Sequence, residues 1–340
     1  MGAGQIPIMD NPKTRRLLLF LIVVVSFSLS IVYSNVQSYR AESSLTTGYP
    51  DSLDYLNMYA GRPGVSLRAY RPLVPFLARL MPALPSWLFN PTKSLDHLTV
   101  AVWRFGIVNL FFLIGACLAL YILQQGFAMT YLESFLGVLL FLSSQTVMRS
   151  AGLPMTDTAF FFFFLLCLIG IQRNNPLLLL VSHTIGISAK ELVILSLPMI
   201  LLAVLPWRRK IIFLACLIPG VIVYIILRFT TGTSPMDGYV TGKVLGYMGA
   251  QIRYILSVNG LINLFFSFGL AWIPFGYALL KKVRSPVLLR RWCWLTAIVF
   301  VGVILGAGNL SRAMFSAFPV VMPMASLGLI RYLLEEVAHK

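Results

Sequence analysis

PLLLLVSHTIGISAKELVILSLPMILLAVLP, residues 176–206, decides how this chain crosses a membrane. Read as one helix, it would run about 45 Å at 1.5 Å per residue. The hydrocarbon core of a bilayer is only about 30 Å thick. The segment also carries Lys190 and Glu191 at its middle, where a charged pair is costly at membrane depth. A break beside Lys190 removes both conflicts. It gives two short helices and brings the pair to a turn near the non-cytoplasmic face.

The surrounding chain supports a membrane protein. Of its 340 residues, 58% are hydrophobic and 11% charged, and the mean hydropathy is +0.84. A soluble fold needs more polar residues to cover its surface. The apolar runs are long and unbroken, unlike the alternating segments of a membrane β-barrel. The expected fold class is therefore all-α: a polytopic membrane protein of about ten transmembrane or half-spanning helices. The spans fall at 17–34, 100–124, 131–148, 158–172, 176–188, 191–206, 211–228, 259–280, 292–308 and 313–332. One membrane domain, 1–340, accounts for the chain. Residues 35–99 form a first outer loop with interfacial helices, and 229–258 a second long outer loop. Lys13, Arg15 and Arg16 precede LLLFLIVVVSFSLSIVYS, a run without a small-residue cleavage site that reads as an uncleaved anchor.

Charge orients this arrangement. With the break, Lys13, Arg15, Arg16, Arg173, the WRRK cluster at 207–210, Lys281, Lys282, Arg284, Arg290, Arg291 and Arg331 all face the cytoplasm, as do both termini. Without it, the WRRK cluster flips outward, against the positive-inside tendency. The net charge of +16 is spread over loops with no basic tail, so nucleic acid is not expected as a partner, whereas anionic lipid is. Cys117, Cys167, Cys216 and Cys293 lie within apolar runs and read as small buried hydrophobes. His183, also in such a run, reads as a satisfied core histidine.

The same arrangement collects Asp51, Asp54, Arg62, Arg68, Arg71, Arg79, Arg149, Asp157, Lys190, Glu191, Asp237, Lys243, Arg253 and Arg312 on the non-cytoplasmic side. In PDSLDYLNMYA, spacings of three and four place Asp51, Asp54 and Tyr55 on one helix face. Either acid could serve as a general base or simply favour a helix start. Arg68, Arg71 and Arg79 carry the rigid fork that matches phosphate oxygens, with lipid headgroups as the plainer partner, above all for Arg79. Asp157, between Thr156 and Thr158, is equally a helix N-cap and a site residue. Lys190 and Glu191 either pair structurally or present Lys190 to a phosphate. Arg312 opens the last span beside a proline-bent helix. Arg104 and Glu133 are single charges near helix ends with no assigned role.

The order of these pieces, YPDSLDYLNMYAG, YRPLVP, LPMTDTAFFFF, GISAKELVILSLP and NLSRAMFSAFPVV, resembles the GT-C superfamily of integral-membrane glycosyltransferases. The resemblance implies transfer of a sugar from a polyprenyl-phosphate carrier to a glycan, lipid or protein acceptor, with inversion. It places Asp51 as the catalytic acid residue with Asp54 as the other candidate. Asp157 and Glu191 would serve the acceptor or a metal. Arg68, Arg71, Lys190 and Arg312 would hold the carrier phosphate. The expected member is of the kind without the soluble C-terminal domain that many carry, and its second outer loop has a single acid, Asp237. A divalent cation, Mg²⁺ or Mn²⁺, held by Asp51 and Asp157 stays open. Composition and size fit a bacterial inner membrane. The rival classes are a transporter or flippase for a lipid-linked substrate, and another lipid-linked glycan enzyme such as a polymerase or ligase. Transporters often carry repeats and paired broken helices, whereas this sequence shows no repeat and one expected break.

Overall fold

A computed structural model describes residues 11–39, 50–62, 71–82, 97–231, 244–306 and 310–338. Those residues are overwhelmingly helical, and no strand occurs among them. Among the described residues, six helices are long and apolar enough to cross a membrane: Pro12–Ser38, Val100–Gly126, Trp207–Thr230, Val258–Leu280, Val287–Ile304 and Leu310–Glu335. This is the pattern of an integral membrane protein. The remaining four of the ten expected spans are shorter apolar helices, at Tyr131–Leu142, Asp157–Gln172, Pro176–Gly186 and Glu191–Leu202.

Local chemistry sets the helix starts. In α1 (Pro12–Ser38), the Asn11 side chain accepts from the Lys13 N–H, and Pro12 occupies the first turn, where its missing N–H costs nothing. The short helices α2 (Pro50–Tyr59) and α3 (Leu73–Leu80) fall within the 35–99 segment. The long α4 (His97–Gly126) leads to α5 (Tyr131–Leu142). Thr130 caps the N3 N–H of α5 while the Glu133 carboxylate returns to the Thr130 N–H. Glu133, given no role from the sequence, is thus half of a reciprocal capping pair.

Several helices are interrupted where one continuous span is expected. The 131–148 segment divides at Ser143 and Ser144. Ser144 caps the short α6 (Gln145–Ser150) and its hydroxyl donates back to the Phe141 carbonyl, the local competition by which serine ends helices. Next come α7 (Asp157–Gln172) and α8 (Pro176–Gly186), and here the expected break does occur. Ala189 and Lys190 N–H groups close onto the Gly186 carbonyl, Lys190 is extended, and a 3₁₀ turn at Glu191–Leu195 leads into α9 (Ser196–Leu202). Helices α10 (Trp207–Ala215) and α11 (Ile218–Thr230) meet at Cys216–Leu217, just before Pro219. After α12 (Val244–Leu256), α13 (Val258–Phe268) turns through Gly269 at φ 55° into α14 (Trp272–Leu280). Then follow α15 (Val287–Trp292), α16 (Trp294–Gly306), α17 (Leu310–Met314) and α18 (Phe318–Ala338). The single break expected from the sequence is therefore one of several.

The core lies around α4, α5, α7, α8 and α18. Helix α7 packs between α4 and α8, while α18 packs on both α14 and α5. In Leu310–Glu335, 83% of the most apolar window is buried, against 17% for Trp207–Thr230, so α17–α18 form an inner post and α10–α11 face outward. A Cβ on Gly328 would lie 2.1 Å from the Pro274 carbonyl oxygen. Only glycine lets α18 approach the α14 backbone that closely.

Candidate functional site

Five chain segments from across the sequence converge at one end of this bundle. Helix α2 begins with Pro50 and puts Asp51 in its first turn. Asp51, Asp54 and Tyr55, which share one helix face, are all buried, at 8%, 8% and 1% exposure. The Arg71–Pro72 segment is tied to the break in 176–206, because the Leu73 N–H donates to the Ser188 carbonyl at 3.3 Å. One contact thus sets Arg71 beside Lys190 and Glu191.

Asp157 is carried by the loop that opens α7, and that loop is held from three sides. Asn35 of α1 donates to the carbonyls of Met148 and Ala151. Asn109 of α4 donates to the Leu153 carbonyl at 2.6 Å and accepts from the Thr158 hydroxyl at 2.6 Å. Gly152 sits at φ 91°, and a Cβ there would come within 2.9 Å of the Val32 backbone. The left-handed backbone and the close approach both call for glycine. Asn35 and Asn109 were missed in the sequence reading. Their signal was present: each is an amide in or at the end of an apolar run, where a withdrawn amide needs a partner.

Three ion pairs share partners, and a fourth, Arg71–Glu191, stands beside them next to Lys190. Arg312 of α17 reaches Asp51 Oδ2 at 3.0 Å through one guanidinium nitrogen and Asp157 Oδ2 at 2.7 Å through the other. Lys190 Nζ takes the second oxygen of Asp157 at 2.5 Å. Arg71 holds Glu191 with two parallel bonds, Nε to Oε2 at 2.8 Å and Nη2 to Oε1 at 2.5 Å. Arg71 also donates to the Tyr55 hydroxyl at 3.1 Å, and that hydroxyl lies 3.4 Å from Thr156 Oγ1. Lys190 and Glu191, adjacent in sequence, therefore pair with different partners rather than with each other.

The set is largely withdrawn from water. Side-chain exposure is 3% for Asp157, 9% for Lys190, 11% for Asp51 and for Arg71, 23% for Arg312 and 30% for Glu191. Beneath it lies an aromatic floor. Lys190 Nζ stands 5.3 Å from the Phe160 ring centroid, and Phe161, Phe315 and Phe318 pack with centroids 5.2–5.4 Å apart. Burial pulls the Lys190 ammonium below its ordinary value, and the Asp157 carboxylate opposes that pull. Desolvated charges such as these persist only when paired.

The remaining candidates fall elsewhere. Arg68 lies outside the described residues. Arg79 is exposed on α3. Asp54 is buried one turn along from Asp51, while the bond to Arg312 falls on Asp51. Asp51 and Asp157, the pair considered for a divalent cation, have the Arg312 guanidinium between them. No group of three or more His, Cys, Asp or Glu side chains suited to a metal occurs among the described residues. The donor set therefore does not fit a metal at that position. Arg104, left without a role from sequence, donates to the Tyr59 hydroxyl at 2.8 Å and steadies the end of α2. His183 departs from expectation: it is fully buried, yet neither ring nitrogen has a hydrogen-bond partner among the described residues.

No family model, no curated protein and no solved structure matches this chain.

Proposed function

We propose that the chain is a membrane glycosyltransferase of the GT-C kind, moving a sugar from a polyprenyl-phosphate carrier to an acceptor hydroxyl. One observation carries this reading: Asp51 lies 3.0 Å from Arg312, in a buried cluster that also holds Lys190 and Arg71. A base for a hydroxyl proton and cations for a departing phosphate are the two parts that such a transfer needs.

In this reading the Asp51 carboxylate accepts the acceptor's hydroxyl proton. The acceptor oxygen forms a bond to the anomeric carbon as the bond from that carbon to the phosphate oxygen breaks. The electron pair leaves with the polyprenyl phosphate, and the configuration at the sugar carbon inverts. Arg312, Lys190 and Arg71 stabilise the charge that gathers on the leaving oxygen. Tyr55 and Thr156 fix the Arg71 fork, and Asp157 orients Lys190 and Arg312. No step passes through a metal. The proposed setting is a bacterial inner membrane with both termini cytoplasmic and the cluster on the outer face, in keeping with the distribution of Lys and Arg.

Membranes containing Asp51→Asn, supplied with labelled lipid-linked sugar, test the assignment. Transfer should fall by about 100-fold or more, the usual weight of a positioned base, at unchanged protein level. Retained transfer would remove Asp51 from the role. The additional helix interruptions favour one rival, a transporter of the same lipid-linked substrate. Proteoliposomes that move the labelled lipid across the bilayer without transferring its sugar would establish that rival instead.

A further inference from the structure

We propose that Glu191 is a stand-in for phosphate: it occupies the Arg71 fork in the resting chain and yields it to the phosphate of an incoming substrate. The proposal deepens the reading above and rests on a phosphate-bearing substrate entering this cluster. Arg71, Lys190 and Arg312 are the cations suited to hold a phosphate, yet each already holds a carboxylate of the chain. A phosphate that binds there has to take over at least one of these pairings.

Geometry and exposure distinguish the two acids most strongly held. Asp157 is gripped by two cations from different segments, is 3% exposed, and stands at the start of α7, where the helix dipole also favours a negative charge. Releasing it would leave both Lys190 and Arg312 short of a counter-charge in a dry site. Glu191 differs in each respect. Its bonds are to Arg71, it is 30% exposed, and it opens a short 3₁₀ turn just after a helix break. Its two parallel bonds to one guanidinium copy the way arginine binds two phosphate oxygens. On release it regains water at modest cost, as partly exposed pairs do. Tyr55 and the bond from Leu73 to Ser188 keep Arg71 in place during the exchange. Glu191 is thus the exchangeable counter-ion and Asp157 the fixed one, both acting through the cations rather than on the reacting atoms.

The two acids should therefore respond with opposite signs. The full chain in nanodiscs is titrated with farnesyl phosphate and, separately, with inorganic phosphate, with empty nanodiscs as the blank. Glu191→Gln should tighten farnesyl phosphate roughly twofold to fivefold, the weight of one partly exposed ion pair. Asp157→Asn should weaken it. Should Asp157→Asn fail to fold, Glu191→Ala supplies a second reading and should tighten binding in the same direction. A role for Glu191 as a mere brace for Arg71 predicts weaker binding in both Glu191 variants, and weaker or unchanged binding overturns the proposal. Tightening for inorganic phosphate with no farnesyl phosphate binding would keep the counter-ion exchange and reject the polyprenyl carrier.

Discussion

Arg312 and Arg331 stand on the same helical post, α17–α18; Arg312 sits in a cluster of ion pairs and Arg331 in a single pair. At 1.5 Å per residue they are about 28 Å apart, close to the roughly 30 Å thickness of a hydrocarbon core. Arg312 pairs with Asp51 and Asp157, which are 261 and 155 residues away in sequence, and all three are mostly shielded from water. Arg331 pairs with Glu335 one helical turn later, at 55% and 40% exposure, with the Tyr277 hydroxyl donating to the same carboxylate. The residue types and bond lengths are alike; burial and sequence separation are not. Distances alone would rank the two clusters as equals. Desolvation separates them, because a buried charge that loses its partner cannot fall back on water, whereas an exposed one can.

The sharpest way to break the comparison is Asp157→Asn. The change leaves Lys190 and Arg312 without full counter-charge in a dry site and should lower stability by about 3 kcal/mol or more. Thermal unfolding of the purified full chain in nanodiscs reads this directly. A midpoint equal to that of the natural chain would mean that the upper cluster is wet and no different from the lower one.

Arg312→Lys sharpens the comparison by keeping the charge and removing the fork. A lysine offers one compact ammonium and cannot reach Asp51 and Asp157 through two separate nitrogens. One of the two carboxylates then loses a charged hydrogen bond, with a cost of about 1.5–3 kcal/mol. The same thermal measurement checks it. Unchanged stability together with unchanged lipid-phosphate binding would show that charge alone, not bridging geometry, organises the site.

The two clusters also differ in how far they could be read from the sequence. The lower pair follows from spacing, since residues four apart on a helix meet. In the upper cluster, the segments could be named but not their pairings. Lys190 and Glu191 mark the helix break because a mid-membrane charge is costly, and the break is where the sequence placed it. That Glu191 joins Arg71 while Lys190 joins Asp157 is decided by packing between segments 120 and 33 residues apart, and no local rule reports such distances. The division at Ser143–Ser144 was hidden by an apolar run that reads as one span. The Thr130–Glu133 capping pair, by contrast, was legible in the T-x-x-E spacing and was overlooked because Glu133 was weighed as an isolated charge.

The smallest expected effect belongs to Arg331→Ala. Its guanidinium is mostly in water, its partner Glu335 keeps the Tyr277 hydroxyl, and water replaces the lost donor at once. The thermal midpoint should not move, and added salt should not distinguish the variant from the natural chain, since an exposed pair contributes little even before salt screens it. A clear loss of stability would show that Arg331, Glu335 and Tyr277 are covered by something that excludes water, such as lipid headgroups packed over that end of the bundle. The post would then be anchored at both ends by desolvated charge, and the contrast drawn between Arg312 and Arg331 would reflect the surroundings of the isolated chain rather than two different ways of using an arginine.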